Sequence, residues 1–361
     1  MSTVTVNASG SYDILIGEKL LFPCQLPEDF SAHPAIAAIR QLKGAKKAHI
    51  VTDDNVMNRY SAAVMDQLRL AGLDVSMEVF PAGEASKNYR NYVAILNSMA
   101  KHQLTRSDIV VALGGGVMGD LAGFAAATFL RGIRYVQIPT TLLAAVDSSV
   151  GGKTAIDLPA GKNLAGAFHQ PSLVLCDTGT LNTLPEDVFR DGCAEVIKYG
   201  VLYDPNLFTH LQQHGLNFHR EEVITRCVEL KRDVVMEDEF DTGARMKLNL
   251  GHTIGHGVEA ASGYTVSHGN AVAIGMAIVA RAACARGLCT PDCRDAIVNL
   301  LEQFGLPTTT EYSADVLYEY ALSDKKRSGG TVNLIIPREI GSCTILPMEV
   351  ENLKSFIQAG L

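Results

Sequence analysis

The chain lacks the features of membrane, secreted and nucleic-acid-binding proteins. Its 361 residues include no Trp, only 6% aromatic residues and no long Lys/Arg block. The start has no basic segment followed by an apolar run, so we expect no secretory signal. The longest apolar stretch, Ala271–Ala280, is about half the length of a membrane span. A formal charge of −8 argues against nucleic acid or an anionic membrane as a partner.

Cysteine is present without a disulfide or zinc-finger pattern. None of the eight cysteines forms a Cys-x-x-Cys pair, and the spacing of Cys284, Cys289 and Cys293 matches no zinc ribbon or finger. We therefore predict reduced thiols and a cytoplasmic protein. The length and the 47% hydrophobic content are sufficient for two domains with packed cores.

Apolar runs alternate with helical periodicity in the first half of the chain. Val4–Val6 and Tyr12–Ile16 predict a hairpin. Further strands are predicted over Ala48–Thr52, Val75–Phe80, Ile109–Leu113, Tyr135–Pro139 and Leu173–Asp177, and helices over Val56–Ala71, Tyr89–His102 and Val117–Ala127. This alternation is typical of a parallel sheet covered by helices on both faces. We predict a doubly wound, nucleotide-binding α/β domain over residues 1–184.

Helical periodicity dominates the second half of the chain. Helices are predicted over Glu186–Tyr203, Glu221–Met236, Met246–Ser262, Asn270–Arg286 and Arg294–Phe304. Thr331–Ile336 and Ser342–Leu346 predict two strands before a short last helix. The predicted fold class is therefore α/β plus all-α, with a mainly helical, metal-binding domain over residues 185–361.

A glycine cluster, Gly114–Asp120, follows a predicted strand and opens a predicted helix. Glycines let a phosphate approach the backbone, and the amides that begin a helix attract anions. The cluster is neither a G-x-G-x-x-G fingerprint nor a Walker A motif, and a simple tight turn is the alternative. Polar residues after two earlier strands, Asp53, Asn55, Glu84 and Lys87, favour a dinucleotide site, because ligands bind at the carboxyl ends of such strands.

Histidine and glutamate indicate a metal site in the helical half. His252 and His256 are four residues apart, on one helical face, and His268 follows twelve residues later. Glu195 falls in an apolar helix, where an unpaired carboxylate is costly. Imidazoles with one carboxylate suit a catalytic Zn²⁺ with an open position. The spacing leaves open whether His256 is a ligand or an acid–base neighbour.

Several cations suggest a small anionic substrate. Lys153 and Lys162 fall in predicted glycine-rich loops, and Lys198 follows Glu195 by three residues. Lys231, Arg245 and Asn249 flank the histidine helix, and Lys325 and Lys326 come late in the chain. Such cations bind phosphate or carboxylate groups.

Seven segments together resemble the 3-dehydroquinate synthase family. They are GGGVMGDLAGF, FLRG, IPTTLLAAVDSSVGGKTAID, GKNLAGAFHQP, AEVIKYG, LNLGHTIGHGVEA and HGNAVAIGM, within residues 51–341. The resemblance implies a nucleotide-binding α/β domain and a helical domain. Met118 and Asn270 depart from the usual motifs without removing an expected ligand.

The resemblance implies a carbon–oxygen lyase acting on a sugar phosphate. Its reaction converts 3-deoxy-D-arabino-heptulosonate 7-phosphate to 3-dehydroquinate and phosphate. The implied steps are transient NAD-dependent oxidation, phosphate elimination, re-reduction and intramolecular aldol closure, in that order. The implied cofactors are NAD and Zn²⁺, with Co²⁺ as a second metal, and the implied assembly is a homodimer.

The resemblance also implies roles for individual residues. The metal ligands are expected to be Glu195, His252 and His268. NAD contacts are expected from Asp53, Asn55, Glu84, Lys87, Gly115, Gly116, Val117, Met118, Gly119, Asp120, Thr140, Thr141, Asp147, Lys153, Lys162, Thr180, Leu181, Asn182 and Thr183. Substrate contacts are expected from Lys153, Asn163, Lys198, Lys231, Arg245, Asn249, His256, one of Lys325 and Lys326, and Arg131, which would act across a dimer.

Two related activities are the alternatives. Another sugar phosphate cyclase, such as 2-deoxy-scyllo-inosose synthase, would share NAD and the metal. Arg245 and Asn249 suit a carboxylate-bearing substrate and favour the heptulosonate. A glycerol-dehydrogenase-like polyol dehydrogenase would share the two-domain plan.

Overall fold

A computed structural model describes residues 1–21, 32–325 and 330–361 of the chain. Its strands are β1 (Ser2–Asn7), β2 (Ser11–Gly17), β3 (Lys47–Asp53), β4 (Asp74–Phe80), β5 (Ile109–Gly114), β6 (Arg134–Pro139), β7 (Lys153–Leu158), β8 (Gly161–Phe168), β9 (Leu173–Asp177), β10 (Thr331–Glu339) and β11 (Ser342–Glu349). Its α-helices are α1 (Pro34–Arg40), α2 (Asp54–Val56), α3 (Ala62–Leu70), α4 (Tyr89–Lys101), α5 (Gly116–Thr128), α6 (Glu186–Tyr203), α7 (Pro205–His214), α8 (Arg220–Glu237), α9 (His252–Ala261), α10 (His268–Ala285), α11 (Pro291–Gln303), α12 (Ala314–Lys325) and α13 (Val350–Gly360).

The chain divides into two compact units. The first unit comprises residues 1–184 and 220–239, and the second comprises residues 185–219 and 240–361. The helix α8 thus belongs to the first unit, where Ser2 Oγ donates to Glu221 Oε1 at 3.1 Å. The domain boundary that we expect between residues 184 and 185 remains a prediction.

The first unit is built on a seven-stranded sheet with the order β1-β2-β9-β6-β5-β3-β4. The strands β1 and β2 form the predicted antiparallel hairpin, and the other pairs are parallel. Alternate residues of β5 pack into opposite cores. Val111 joins the core that contains Leu68 of α3, and Val110 joins the core that contains Leu121 of α5. Burial on both faces explains the nearly continuous apolar strands and confirms the doubly wound α/β prediction.

A small antiparallel hairpin, β7–β8, also belongs to the first unit. It pairs Lys153 with Phe168, so the prediction of loops around Lys153 and Lys162 was wrong. Small residues in β8 obscured the strand in the sequence, but they permit the pairing. A Cβ on Gly166 would lie only 2.3 Å from the carbonyl oxygen of Thr154 in β7. Cross-strand fit thus decides the conformation here.

The second unit is mainly helical, as predicted, and its β10–β11 hairpin is antiparallel. The predicted continuous helix over Met246–Ser262 was wrong. A 3₁₀ segment over Ala244–Asn249 is followed by Gly251 at φ 78°, a left-handed conformation, and α9 begins at the next residue. A Cβ on Gly275 of α10 would lie 2.0 Å from the Gly251 carbonyl oxygen. Glycine therefore allows α9 and α10 to pack closely.

The helix α10 forms much of the core of the second unit. Among the described helices it alone is long and apolar enough to cross a membrane by length and composition, and 72% of that stretch is buried inside the protein. Extensive burial also explains an apolar sequence of this kind, because a helix packed mostly against other helices has little solvent-facing surface.

Candidate functional site

The turn between β5 and α5 is a backbone cradle made by glycines. Gly115 precedes α5, and no side chain caps the first amides of that helix. A Cβ on Gly114 would lie 2.8 Å from Met118 Cγ, and one on Gly116 would lie 3.1 Å from Ser148 Oγ. Side chains at these positions would therefore crowd the cradle. Uncapped amides at the start of a helix fit the diphosphate of a dinucleotide.

Asp53 lies beside this cradle at the end of β3. A Cβ on Gly114 would be 3.3 Å from Asp53 Oδ2, and Asp53 Oδ1 accepts a hydrogen bond from the Val56 amide at 3.0 Å. Burial raises the pKa of the Asp53 carboxyl. Asn55 is exposed in the next turn. The adjacent ends of β3 and β5 thus bring two predicted cofactor segments together.

The buried Lys87 connects further predicted residues. Its Nζ lies 2.6 Å from Asp120 Oδ2 and also donates to Asn163 Oδ1. Burial opposes the charge of Lys87, but Asp120 and Glu84 outweigh it and raise the pKa of the amine. The sequence reasoning missed Asp157, whose Oδ1 accepts from the Asn163 amide at 2.8 Å. No alternating pattern marks Asp157, because β7 reads KTAIDL.

Other predicted residues of the first unit have distinct surroundings. Lys231 on α8 donates to the carbonyl oxygen and to Oδ1 of Asp147, both at 2.7 Å. Lys162 Nζ lies 3.9 Å from Glu84 Oε1. Lys153 and Arg131 are both exposed.

The segment Thr178–Thr183 forms a 3₁₀ turn after β9. Tyr60, which the sequence reasoning missed, fixes this turn: its hydroxyl donates to the Thr180 carbonyl oxygen at 3.1 Å and contacts Thr183 Oγ1. No local pattern marks Tyr60, because the contact joins distant parts of the chain. Thr140 is buried, and Thr141 lies beside Gly115, where a Cβ would be 3.1 Å from Thr141 Cγ2.

Three predicted metal ligands meet in the second unit. Glu195 lies on α6, while His252 and His268 are the first residues of α9 and α10. One ligand atom from each lies within 4.8 Å of the others. Both imidazoles direct Nε2 toward Glu195 Oε1, at 3.4 Å for His252 and 3.5 Å for His268. Two imidazoles and one carboxylate fit a divalent cation such as Zn²⁺.

Charges around this cluster shift the pKa values of its two histidines in opposite directions. Lys198 Nζ pairs with Glu195 Oε2, and the other carboxylate oxygen faces the imidazoles. Burial and the Lys198 charge lower the pKa of His252 to about 3, so its ring is neutral at physiological pH. Burial opposes protonation of His268, but hydrogen bonds to Glu195 and Glu259 outweigh it and raise its pKa to about 10. His268 therefore lies where positive charge is stabilised.

The second ring nitrogens also have partners. His252 Nδ1 lies 3.0 Å from the Leu250 carbonyl oxygen, and His268 Nδ1 lies 3.5 Å from Glu259 Oε2. The sequence reasoning missed Glu259; its position two helical turns after His252, on a buried face, was the available signal. His256 is exposed and forms a second potential metal-ligand group with Glu259 and His268.

The remaining predicted substrate residues are only partly described. Arg245 is buried, and Asn249 is half-buried at the end of the 3₁₀ segment Ala244–Asn249. Lys325 ends α12. Lys326 lies outside the described residues.

Two family models match most of the chain. The model described as "3-dehydroquinate synthase N-terminal" matches residues 77–191, and "3-dehydroquinate synthase C-terminal" matches residues 192–327. A 3-dehydroquinate synthase of Enterococcus faecalis is 43% identical over 325 residues, which cover 88% of this chain and 91% of that protein.

Solved structures of sugar phosphate cyclases share the fold. A 2-deoxy-scyllo-inosose synthase complexed with carbaglucose-6-phosphate, NAD⁺ and Co²⁺ gives a TM-score of 0.87 at 25% identity, with 100% of both chains covered. A 2-epi-5-epi-valiolone synthase from Streptomyces hygroscopicus with NAD⁺ and Zn²⁺ bound gives 0.86 at 27% identity, with 98% of both chains covered.

Proposed function

Because the chain belongs to the 3-dehydroquinate synthase family, we propose that it converts 3-deoxy-D-arabino-heptulosonate 7-phosphate to 3-dehydroquinate and phosphate. The observation that carries this proposal is 43% identity with a 3-dehydroquinate synthase over 88% of the chain. The enzyme uses NAD and a divalent metal ion, Zn²⁺ or Co²⁺, and the glycine cradle and the Glu195 cluster fit these groups.

The first unit holds NAD. The β5–α5 cradle binds the diphosphate through the backbone of Gly115–Asp120. Around it, the further contacts are Asp53, Asn55, Glu84, Lys87, Thr140, Thr141, Asp147, Lys153, Lys162 and Thr180–Thr183. When bound, NAD supplies a hydride acceptor that becomes a hydride donor later in the same turnover. Lys87 keeps Asp120 and Asn163 in position, because its buried amine contacts both.

Glu195, His252 and His268 hold the metal in the second unit. When bound, a divalent cation supplies Lewis-acid stabilisation of developing negative charge. Lys198 orients Glu195 by pairing with one carboxylate oxygen. The Leu250 carbonyl oxygen fixes the His252 ring, so that Nε2 faces Glu195.

Cations and amides bind the anionic substrate. The proposed contacts are Lys153, Asn163, Lys231, Arg131, Lys198, Arg245, Asn249, His256 and one of Lys325 and Lys326. Guanidinium and amine groups hold phosphate and carboxylate through charged hydrogen bonds. The leaving phosphate accepts a proton itself, so positioning carries more of the catalysis than dedicated bases do. The enzyme is a cytoplasmic homodimer in this proposal, with Arg131 acting across the dimer.

Phosphate release tests the assignment against its alternatives. We expect the purified protein to release phosphate from the heptulosonate phosphate but not from glucose 6-phosphate, with no net accumulation of NADH. Turnover of glucose 6-phosphate alone would assign it instead to a 2-deoxy-scyllo-inosose synthase. Steady NADH formation from a polyol would indicate a dehydrogenase.

Two substitutions test the residue roles. His268→Ala should abolish metal binding and turnover, because it removes one of three ligands. Lys153→Ala should lower turnover while the circular dichroism spectrum stays unchanged, because the side chain is exposed. Wild-type kinetics in the Lys153 variant would contradict its substrate role.

A further inference from the structure

Glu259 is a buried acid that the proposed reaction does not use. Its exposure is only 3%, and it lies on α9, seven residues after His252. A buried carboxylate is costly unless hydrogen bonds or charges compensate it. Glu259 Oε2 lies 3.5 Å from Nδ1 of His268 on the neighbouring α10. The acid is therefore placed against a proposed metal ligand.

This contact determines which ring nitrogen of His268 is available. An ionised carboxylate only accepts hydrogen bonds, so Nδ1 of His268 is the donor. Nε2 of the same ring lies 3.5 Å from Glu195 Oε1. His252 has the same arrangement, with Nδ1 on the Leu250 carbonyl oxygen and Nε2 toward Glu195. Each ring is thus held through Nδ1. The partner is the Leu250 carbonyl oxygen for His252 and the Glu259 carboxylate for His268.

We propose that Glu259 is a positioning residue that orients the His268 imidazole and strengthens metal binding at Glu195, His252 and His268. The inference rests on the proposed metal site. A carboxylate behind a ligating imidazole makes the ring more basic and fixes its orientation. Loss of such a partner commonly weakens metal affinity by about 10–100-fold.

The geometry disfavours a direct ligand role for Glu259. Glu259, His256 and His268 also have ligand atoms within 4.8 Å of one another. An ion there would use Nδ1 of His268 and would leave Nε2 of both imidazoles facing Glu195. His256 is exposed, whereas Glu195 is fully buried among its partners. The observed ring orientations therefore fit an ion at Glu195, His252 and His268 better than an ion at Glu259, His256 and His268.

Metal titration of the full-length protein tests the proposal. Metal-depleted wild type and variants compete with a chromophoric chelator for Zn²⁺, and their Co²⁺ absorption spectra are recorded. We expect Glu259→Gln to weaken Zn²⁺ affinity by about 10–100-fold and to change the Co²⁺ spectrum. Glu302→Gln, in the same unit with its oxygen on Thr308, is the matched control and should bind as wild type. Glu259→Asp, which retains the charge, should recover part of the affinity.

The variants distinguish the role of Glu259 from the metal site itself. Weak binding by Glu195→Gln with wild-type binding and spectrum in Glu259→Gln would overturn the role of Glu259 alone. Wild-type binding by Glu195→Gln would overturn the metal site itself. Weak binding by both Glu259→Gln and His256→Ala, with Glu195→Gln unaffected, would place the ion at the second group and overturn the positioning role.

Discussion

Lys87 shows how one buried side chain can order a proposed cofactor site. Its amine contacts Asp120 on α5 and Asn163 on β8, and its backbone oxygen accepts from the Asp157 amide at 2.8 Å. Removal of the amine would leave the half-buried Asp120 carboxylate without this charge partner. Such losses are larger than those of exposed pairs, because water cannot replace the partner fully.

We therefore expect Lys87→Met to lower the free energy of unfolding by about 3 kcal/mol and to weaken NAD binding. Urea denaturation and calorimetric titration measure the two effects. In an Asp120→Asn background the same substitution should lower the free energy of unfolding by less, because no unpaired Asp120 carboxylate remains. Lys101→Met, at an exposed position at the end of α4, is the control. Equal losses at Lys87 and Lys101 would contradict this account.

His49 makes stability depend on pH. Burial, and then the neighbouring His102, lower the pKa of His49 to about 4. The folded protein keeps this ring neutral, whereas the unfolded chain takes up a proton below the ordinary value of about 6.5. Stability from this group is therefore complete above pH 6.5 and falls as the pH decreases toward 4. At about pH 5 the loss is roughly 2 kcal/mol.

A variant isolates this contribution. The free energy of unfolding of wild type should fall more steeply between about pH 7 and about pH 5 than that of His49→Gln. The other titrating groups are common to both proteins and cancel in the comparison. Parallel pH profiles would show that His49 does not carry the effect.

Residue type indicated a metal site among Glu195, His252, His256 and His268, and the family resemblance selected Glu195, His252 and His268 as the expected ligands. Tyr60 was missed because its partner Thr180 is distant in the chain. Asp157 and Glu259 were missed because their contacts, with Asn163 and His268, join two separate elements. Their chemistry is ordinary, and only the fold reveals the partner.

At the scale of elements, the contact between α9 and α10 positions two proposed ligands. Each helix begins with one of these histidines. The Gly275 backbone approaches the Gly251 carbonyl oxygen so closely that a Cβ would lie at 2.0 Å. Any side chain here must separate the helices that carry His252 and His268.

Gly275→Ala should therefore destabilise the protein by about 2–3 kcal/mol and weaken Zn²⁺ binding. Thermal denaturation and chelator competition measure these effects. Gly10→Ala is the control, since nothing lies within 4 Å of its Cβ position. An unchanged Zn²⁺ affinity in Gly275→Ala would show that helix spacing does not control the site.

The periodicity of apolar residues and the burial of each element explain which elements could be predicted. The central strands have continuous apolar runs because both faces are covered, and the long helices have clear periodicity. The helices α7 and α12 were missed, although Asp204 and Pro205 supply a local start signal for α7. The β7–β8 hairpin was mistaken for loops because cross-strand pairing decides its conformation. The break before α9 depends on one left-handed glycine, which periodicity does not detect.

At the scale of the whole molecule, a bound metal should stabilise the fold. A chelator should lower the melting temperature and stop phosphate release, because a ligand that binds only the folded state adds about 2.7 kcal/mol at one hundred times its dissociation constant. Zn²⁺ or Co²⁺ should restore both properties. Mg²⁺ should not, because it prefers oxygen ligands to imidazole. Full activity with Mg²⁺ alone would contradict the donor set proposed here.

The placement of α8 has a consequence for biosynthesis. The first unit needs residues 220–239, which follow 35 residues of the second unit in the chain. There the Ser9 amide donates to Glu239 Oε2 at 2.8 Å, and the Met1 amino group lies 2.8 Å from Glu221 Oε1. The contacts of β1 with α8 can therefore form only after residues 185–219 have been synthesised. A chain that stops at residue 184 would lack α8 and its Lys231. Because each unit is built from two separate segments, neither unit can be exchanged between genes as one uninterrupted segment.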